Sequence, residues 1–394
     1  MLTSLSWSLV AVLLTAEPIS FKDALERAER RSPDLAVARL ALPEAEAGID
    51  AAGALPNPLF SFGVGPDEPT VFGSVEQRFP FLGQRQSAMA AAGAQVPVAK
   101  AQLALRDLQL KAEVRRAYFQ LAAAQAQVRL AEETSRLDGE LAQMAAKKFE
   151  AGSAPQLDVE QARLAQKRSE EDVEDRRAAL DVARLHLATV LGEPPDASLE
   201  TRDPLTPLPQ VPPLADLLAR AAQHPEVDSA EGEKQAALAR AHKERMSIVP
   251  TPSLSVEVEH LGTNPGVGVR GGISLDVPIL SQNSGAVNVE RAQAERADAR
   301  KVAALRRLEG AAREAHAKWL AALRRVRFAE QELIPAAVRV AALARVGYDV
   351  GRTPLFNLVQ AQADVAAAQA RAVDGAAEGW AALADLEEAV GAIP

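Results

Sequence analysis

The 394-residue chain contains no cysteine, and aromatic residues make up only 4% of it. Without cysteine there is no disulfide framework and no thiolate metal site, and no N-terminal cysteine to carry an acyl anchor. So few aromatics leave little material for the bulky core of a compact globular domain and suit helices packed through alanine. Beyond the first residues no run approaches the ~18 consecutive apolar residues of a transmembrane helix, so a membrane-crossing form of this chain has to be a β-barrel. No nucleophile motif, paired acid–base set or P-loop is present. The five histidines (His186, His224, His242, His260, His316) lack metal-ligand spacing. The chain therefore reads as a non-enzyme with no catalytic residues, no cofactor and no resident metal. A formal net charge of −9 argues against nucleic acid as a partner.

What is present is a repeated helical seam. Leu308, Ala312, Ala315, Trp319, Ala322, Val326, Ala329, Leu333, Ala336, Val340 and Leu343 recur at spacings of four and three, the heptad signature of a helix that coils along a neighbour. The same pattern lies 198 residues earlier, in Leu110, Val114, Ala117, Leu121, Ala124, Val128 and Ala131. The chain is thus internally duplicated, and the repeat overrides a domain count based on length. Residues 1–16 precede the first copy; their apolar run Leu9 to Leu14 and the small residue Ala16 predict a secretory signal, although no Lys or Arg precedes the run.

Each half follows one plan. Short helices separated by Ser32-Pro33 in the first half, and by His224-Pro225 in the second, precede a change of period from helical to alternating. Phe60, Phe62 and Val64, then Val71, Gly73 and Val75, alternate with polar or small residues. In the second half Leu254, Val256 and Val258, then Val269, Gly271, Ile273 and Leu275, do the same. These predict β-hairpins over 58–79 and 253–277, each with one apolar and one charged face. The turns between their strands fall at Pro66-Asp67-Glu68-Pro69 and in a Gly/Asn/Pro stretch. Both hairpins end on a proline, in Phe79-Pro80-Phe81-Leu82-Gly83-Gln84 and Val277-Pro278-Ile279-Leu280-Ser281-Gln282. Long helix pairs follow, over 84–191 and 282–391. The helix from Gln84 to Phe149 would be on the order of 100 Å long, with a kink expected at Pro97. Both pairs reverse at a Gly-then-Pro turn, Gly152 to Pro155 and Gly351 to Pro354. The first repeat is 17–191, the second 214–394, and the proline-rich stretch 192–213 is an extended connector.

Four strands with one apolar face cannot close a membrane barrel, whose smallest versions have ~8 strands, and open edges in lipid would leave backbone groups without partners. Several copies therefore have to pool their strands. Glu76, Arg78, Glu257, Glu259, Arg270 and Asp276 would then face a water-filled lumen. A soluble two-sheet sandwich with its charged face outward is the alternative, but it leaves the helix length unexplained.

In its duplication, its hairpin-Pro-helix junctions and its Gly-Pro helix turns, nearly the whole chain resembles the outer-membrane efflux protein family, the TolC-like channel tunnels. The resemblance implies a mainly α fold with a small β part: long antiparallel helical hairpins forming an α-barrel across the periplasm, and four strands given to a trimeric, twelve-stranded outer-membrane β-barrel. It implies a homotrimer in outer-membrane lipid that acts as a passive duct. An inner-membrane pump of RND or ABC type would feed it through a periplasmic adaptor (membrane fusion) protein. It also places a constriction at Asp158, Gln161, Asn357 and Gln360, a gate ion pair at Arg352, and adaptor-contacting turns at Gly152 and Gly351. Where the family carries acids, Asn357 and Gln360 are amides. Compact hairpin loops suggest the heavy-metal branch; drug, peptide or protein export, or a periplasmic coiled-coil adaptor or scaffold, are the rival readings. Gly266-x-Gly268-x-x-Gly271 has dinucleotide-fingerprint spacing, but a strand follows it, so that reading fails. Lys147-Lys148 and Arg324-Arg325 read as solvated helix faces.

Overall fold

A computed structural model describes residues 18–65, 70–260, 266–279 and 282–391. The expected signal and both hairpin turns lie outside these residues, as do Leu280 and Ser281. Helices and strands follow in the order β1 (Pro18–Ile19), α1 (Phe21–Arg31), α2 (Pro33–Gly53), β2 (Leu59–Gly65), β3 (Thr70–Arg78), α3 (Gln84–Gly93), α4 (Gln95–Glu150) and α5 (Gln156–Leu191). Then come β4 (Glu200–Thr201), α6 (Leu214–Ala221), α7 (Pro225–Met246), β5 (Thr251–His260), β6 (Val267–Asp276), α8 (Ser284–Phe328), a π-turn (Ala329–Leu333), α9 (Ile334–Asp349) and α10 (Leu355–Val390). The fold is mainly α with a small β part, and its two halves repeat one plan.

Local chemistry accounts for the boundaries. Ser20 starts α1 through a capping box: its hydroxyl accepts the Asp23 N–H and the Asp23 carboxylate accepts the Ser20 N–H. Pro33 and Pro225 each open a new helix, where a missing N–H costs nothing. The same reason corrects the kink expected at Pro97. The first long helix breaks earlier, at Ala94, and Pro97 falls in the first turn of α4.

Contacts divide the chain into two units. One comprises the described parts of Asp34–Arg106 and Ala221–Leu308. It holds an antiparallel sheet in the order β2-β3-β5-β6, so the hairpins of the two repeats join through β3 and β5. The register sets Ser74 opposite Glu257, Glu76 opposite Ser255, Arg78 opposite Ser253, and Glu257 opposite Arg270. Directly opposed residues share a face, so the six charged residues singled out above lie on one side. Phe60, Phe62, Val64, Val256, Val269 and Ile273 lie on the other and are exposed, Phe62 and Ile273 each at 82%. The sheet is single, with β2 and β6 at its edges, which removes the sandwich reading. Beside it α7 and α8 are laced by an antiparallel ladder: Glu226–Arg307, Glu231–Lys301, Glu233–Arg300, Lys234–Asp298 and Arg240–Glu290. At this level of exposure each pair contributes ~0.2–1 kcal/mol.

The other unit comprises the described parts of Met1–Pro33, Asp107–Arg220 and Glu309–Pro394. Its seams are the ones read from sequence: Leu110, Val114, Ala117 and Leu121 are buried, as are Ala312, Ala315, Trp319, Ala322, Val326 and Ala329. Beyond Ala329 the expected seam drifts off the inner face: Leu333 and Ala336 are still half-buried, but the later positions are not. Val340 and Leu343 are 55% and 74% exposed, and the inward positions are Ile334, Ala337, Ala341, Ala344 and Tyr348, each shifted by one residue. The π-turn is the cause: the Ile334 N–H bonds back to the Ala329 carbonyl, so the turn holds one residue more than an α-turn and rotates the face behind it. The sequence carried the signal. The repeat offset is 198 residues along the upstream seam but 199 at the Gly-Pro turns, and the π-turn absorbs the extra residue. Pro335, which lacks the N–H for an α-helical bond, directly follows it.

The connector is more ordered than expected. Its β4 pairs in parallel with β1. Asp203 accepts the Phe21 N–H at 2.6 Å and the Tyr118 hydroxyl at 2.7 Å. Phe119 and Trp380 stack at 3.6 Å, and the Trp380 indole donates to the Leu205 carbonyl at 2.8 Å. Leu208 reaches α10 only because position 379 is glycine; a Cβ there would lie 2.5 Å from its side chain. Gly379→Val should therefore cost ~1–3 kcal/mol by displacing Leu208. Gly310→Ala, a site with nothing within 4 Å, should stabilise by ~0.5–1 kcal/mol. Thermal unfolding followed by circular dichroism in detergent checks both.

Candidate functional site

The two helix turns share the same main-chain bonds, and the second adds one from the Thr353 N–H to the Gly347 carbonyl. At the first, the Gly152 N–H donates to the Phe149 carbonyl and the Ser153 N–H to the Lys148 carbonyl. At the second, the Gly351 N–H donates to Tyr348 and the Arg352 N–H to Gly347. Gly152 and Gly351 have φ of 68° and 74°, the left-handed region that a side chain resists. Pro155 and Pro354 then cap α5 and α10, and Asp158 and Asn357 donate their N–H groups to the two proline carbonyls at 3.1 Å each. Asp158 and Asn357 are therefore structural equivalents, as the sequence alignment of the turns implied.

Both turns belong to one packed cluster: Leu141, Ala142, Ala145, Val159, Ala162, Tyr348, Leu355 and Leu358 are all buried in it. Lys148 ties the turns together. Its ammonium lies 4.0 Å from the centre of the Tyr348 ring and donates to the Tyr348 carbonyl at 2.8 Å. The reading of Lys148 as a solvated residue is thus corrected, whereas Arg325 lies on an exposed helix face, where it pairs with Glu378. The Tyr348 hydroxyl is buried with no hydrogen-bond partner among the described residues. Burial, with Asp158 and Asp349 nearby, raises its pKa above the ordinary tyrosine value.

The expected constriction residues divide. Gln161 and Gln360 line one groove of about 470 Å³ with Asp138, Arg168, Ser169 and Phe356, and the Gln360 amide donates to Asp364 at 2.9 Å. Asp158 is half-buried and Asn357 exposed, and neither lines that groove. Arg352 is exposed and forms no ion pair with another described residue of its own chain. On the sheet, Arg78 lies 3.7 Å from Glu76, and Arg270 lies 3.7 Å and 3.6 Å from Glu257 and Glu259. Sequence reasoning missed Lys148, Tyr348 and Asp138, whose roles arise from pairings across or within the repeats.

Two tandem copies of a strand hairpin followed by a long helical pair, with an exposed apolar sheet face, define the fold of a tunnel-forming outer-membrane channel. The chain belongs to the outer membrane efflux protein family, whose sequence profile matches residues 24–193 and 218–392, one stretch per repeat. It is accordingly a non-enzymatic efflux protein of the outer membrane that extends into the periplasm. It is 24% identical over 355 residues to the cobalt-zinc-cadmium resistance protein CzcC of Cupriavidus metallidurans, covering 88% of this chain and 84% of the relative. Among solved structures, the outer-membrane channel OprN superposes with a TM-score of 0.78 at 20% identity, covering 94% of this chain and 89% of the other. VceC of Vibrio cholerae superposes with a TM-score of 0.77 at 18% identity, covering 94% and 96%.

Tyr348→Phe removes a hydroxyl that bonds to no described residue, so its stability should equal or exceed that of the wild type. Lys148→Met should lose ~0.5–2 kcal/mol with the ring contact. Unfolding midpoints of the two variants, measured side by side in detergent, check this.

Proposed function

We propose that this protein is the outer-membrane duct of a tripartite efflux system, assembled from three copies. One observation carries the reading: a four-stranded sheet with an exposed apolar face and two unpaired edges, β2 and β6. In lipid those edge groups have no water to bond, and each unmatched group costs several kcal/mol. Continuing the sheet into neighbouring copies satisfies them, and three copies give twelve strands. Glu76, Arg78, Glu257, Glu259, Arg270 and Asp276 then line the lumen, four acids against two arginines per copy.

In this reading the duct narrows at the helix turns. Asp158, Gln161, Asn357 and Gln360 form the constriction, and Lys148 holds the two turns of each copy together. Arg352, which forms no ion pair with another described residue of its own chain, pairs across copies. The turns at Gly152 and Gly351 meet a periplasmic adaptor, through which an inner-membrane pump drives transport. Divalent metal cations are the proposed cargo, on the strength of the name of the cobalt-zinc-cadmium resistance relative. Export of drugs, peptides or proteins is the alternative.

Detergent-purified protein should sediment as three subunits and form channels in planar bilayers. Asp158→Ala should raise the single-channel conductance and lower cation preference. A monodisperse single subunit would remove the shared barrel, and unchanged conductance would remove Asp158 from the constriction. Loss of metal tolerance on deleting the gene, restored by the intact gene, is the result expected for the proposed cargo.

A further inference from the structure

In the first repeat a carboxylate occupies a place that the second repeat gives to alanine. With the turns aligned, Asp138 of α4 corresponds to Ala337 of α9, and Ser169 of α5 corresponds to Ala368 of α10. Asp138 continues the apolar seam of α4 and is only 8% exposed. Its one described polar neighbour is Ser169, whose hydroxyl also donates to the Gln166 carbonyl at 3.0 Å, and it makes no ion pair with any described residue. It also lines two grooves. One, of about 470 Å³, lies against α5 and α10 and includes Gln161 and Gln360. The other, of about 280 Å³, lies against α9 and α10 and includes Gln362, whose side-chain carbonyl oxygen is buried without a partner among the described residues.

We propose that Asp138 is a proton-operated latch that holds α5 and α10 against α4 while it is neutral and loosens them when it ionises. A neutral carboxyl can sit in an alanine seam beside a hydroxyl; a carboxylate with no cation partner has to recover water, and the grooves are where water enters. The charged groups lining the grooves with it are Glu133 on its own helix, Arg168 and Asp172 on α5, and Arg345 on α9; the α10 residues lining the grooves are uncharged. None of these charges is within ion-pair distance of Asp138. Burial raises its pKa, with the Ser169 hydrogen bond opposing the shift. The sign follows from linkage. The packed form binds a proton that the hydrated form releases, so packing is favoured in acid and weakens as pH rises from the ordinary carboxylate range through the raised value. The latch concerns helix packing within one chain and does not depend on what passes through the duct.

The test exploits the absence of native cysteine. Ala165, half-buried on the first groove, is replaced by cysteine in the full-length protein and labelled with a nitroxide. Its accessibility to a nickel chelate is then measured from about pH 4.5 to about pH 8. Accessibility should rise by at least about threefold across that range with Asp138 present. With Asp138→Asn it should stay at the acid level throughout. Ser169→Ala removes the one polar side chain that Asp138 is set beside, so it should move the midpoint; this arm stands even where the Asp138 variant fails to fold. A flat profile with Asp138 present, a wild-type profile with Asp138→Asn, or an unmoved midpoint with Ser169→Ala overturns the proposal.

Discussion

Close approach of small side chains along two helical seams is the constraint on which the rest of this structure turns. Ala112, Ala117, Ala145, Ala312 and Ala376 are fully buried. Where alanine faces alanine the backbones come near each other, and there is no long side chain to rearrange when something changes. Contacts of this kind gain energy only at close range, so the helices have to keep register along their whole length. The tightness also explains why connector residues such as Leu208 dock only against glycine.

That constraint decides what happens when the two repeats differ. The second repeat is one residue longer between Ala329 and Tyr348. Carrying the extra residue as ordinary helix would rotate the whole lower half of α9 away from its partners. Concentrating it in one π-turn confines the disturbance to a single place and brings Ala337, Ala341, Ala344 and Tyr348 back to the inner face. Downstream of the turn the repeats match again, down to the hydrogen bonds at Gly152 and Gly351. The repeats also diverge in chemistry. Lys148 and Tyr348 form a pair across them, and Asp138 with Ser169 introduces a polar contact where the other repeat keeps alanines. A duplicated chain can divide labour in this way, keeping one copy apolar for packing while the other carries a titratable group.

The sheet obeys a different rule. Its side-chain period of two makes the facing of every residue readable once one pairing is known. The charged side and the apolar side were therefore both legible from Phe60 to Val64 and from Leu254 to Leu275. The joining of the two hairpins through β3 and β5 was not, because it pairs segments separated by almost two hundred residues whose edges carry no local mark of each other.

The sequence by itself determined the duplication, the helix and strand periods, the proline-led helix starts and the left-handed glycines at the turns, because each of these rests on neighbours a few residues apart. The repeat offset marked that a residue had been inserted, but only the tertiary structure decided where α9 absorbs it, the place of Lys148 against Tyr348, the order in the connector and the burial of Asp138. Those depend on which distant side chains come to lie opposite one another, and a single inserted residue or one close backbone approach is enough to change that.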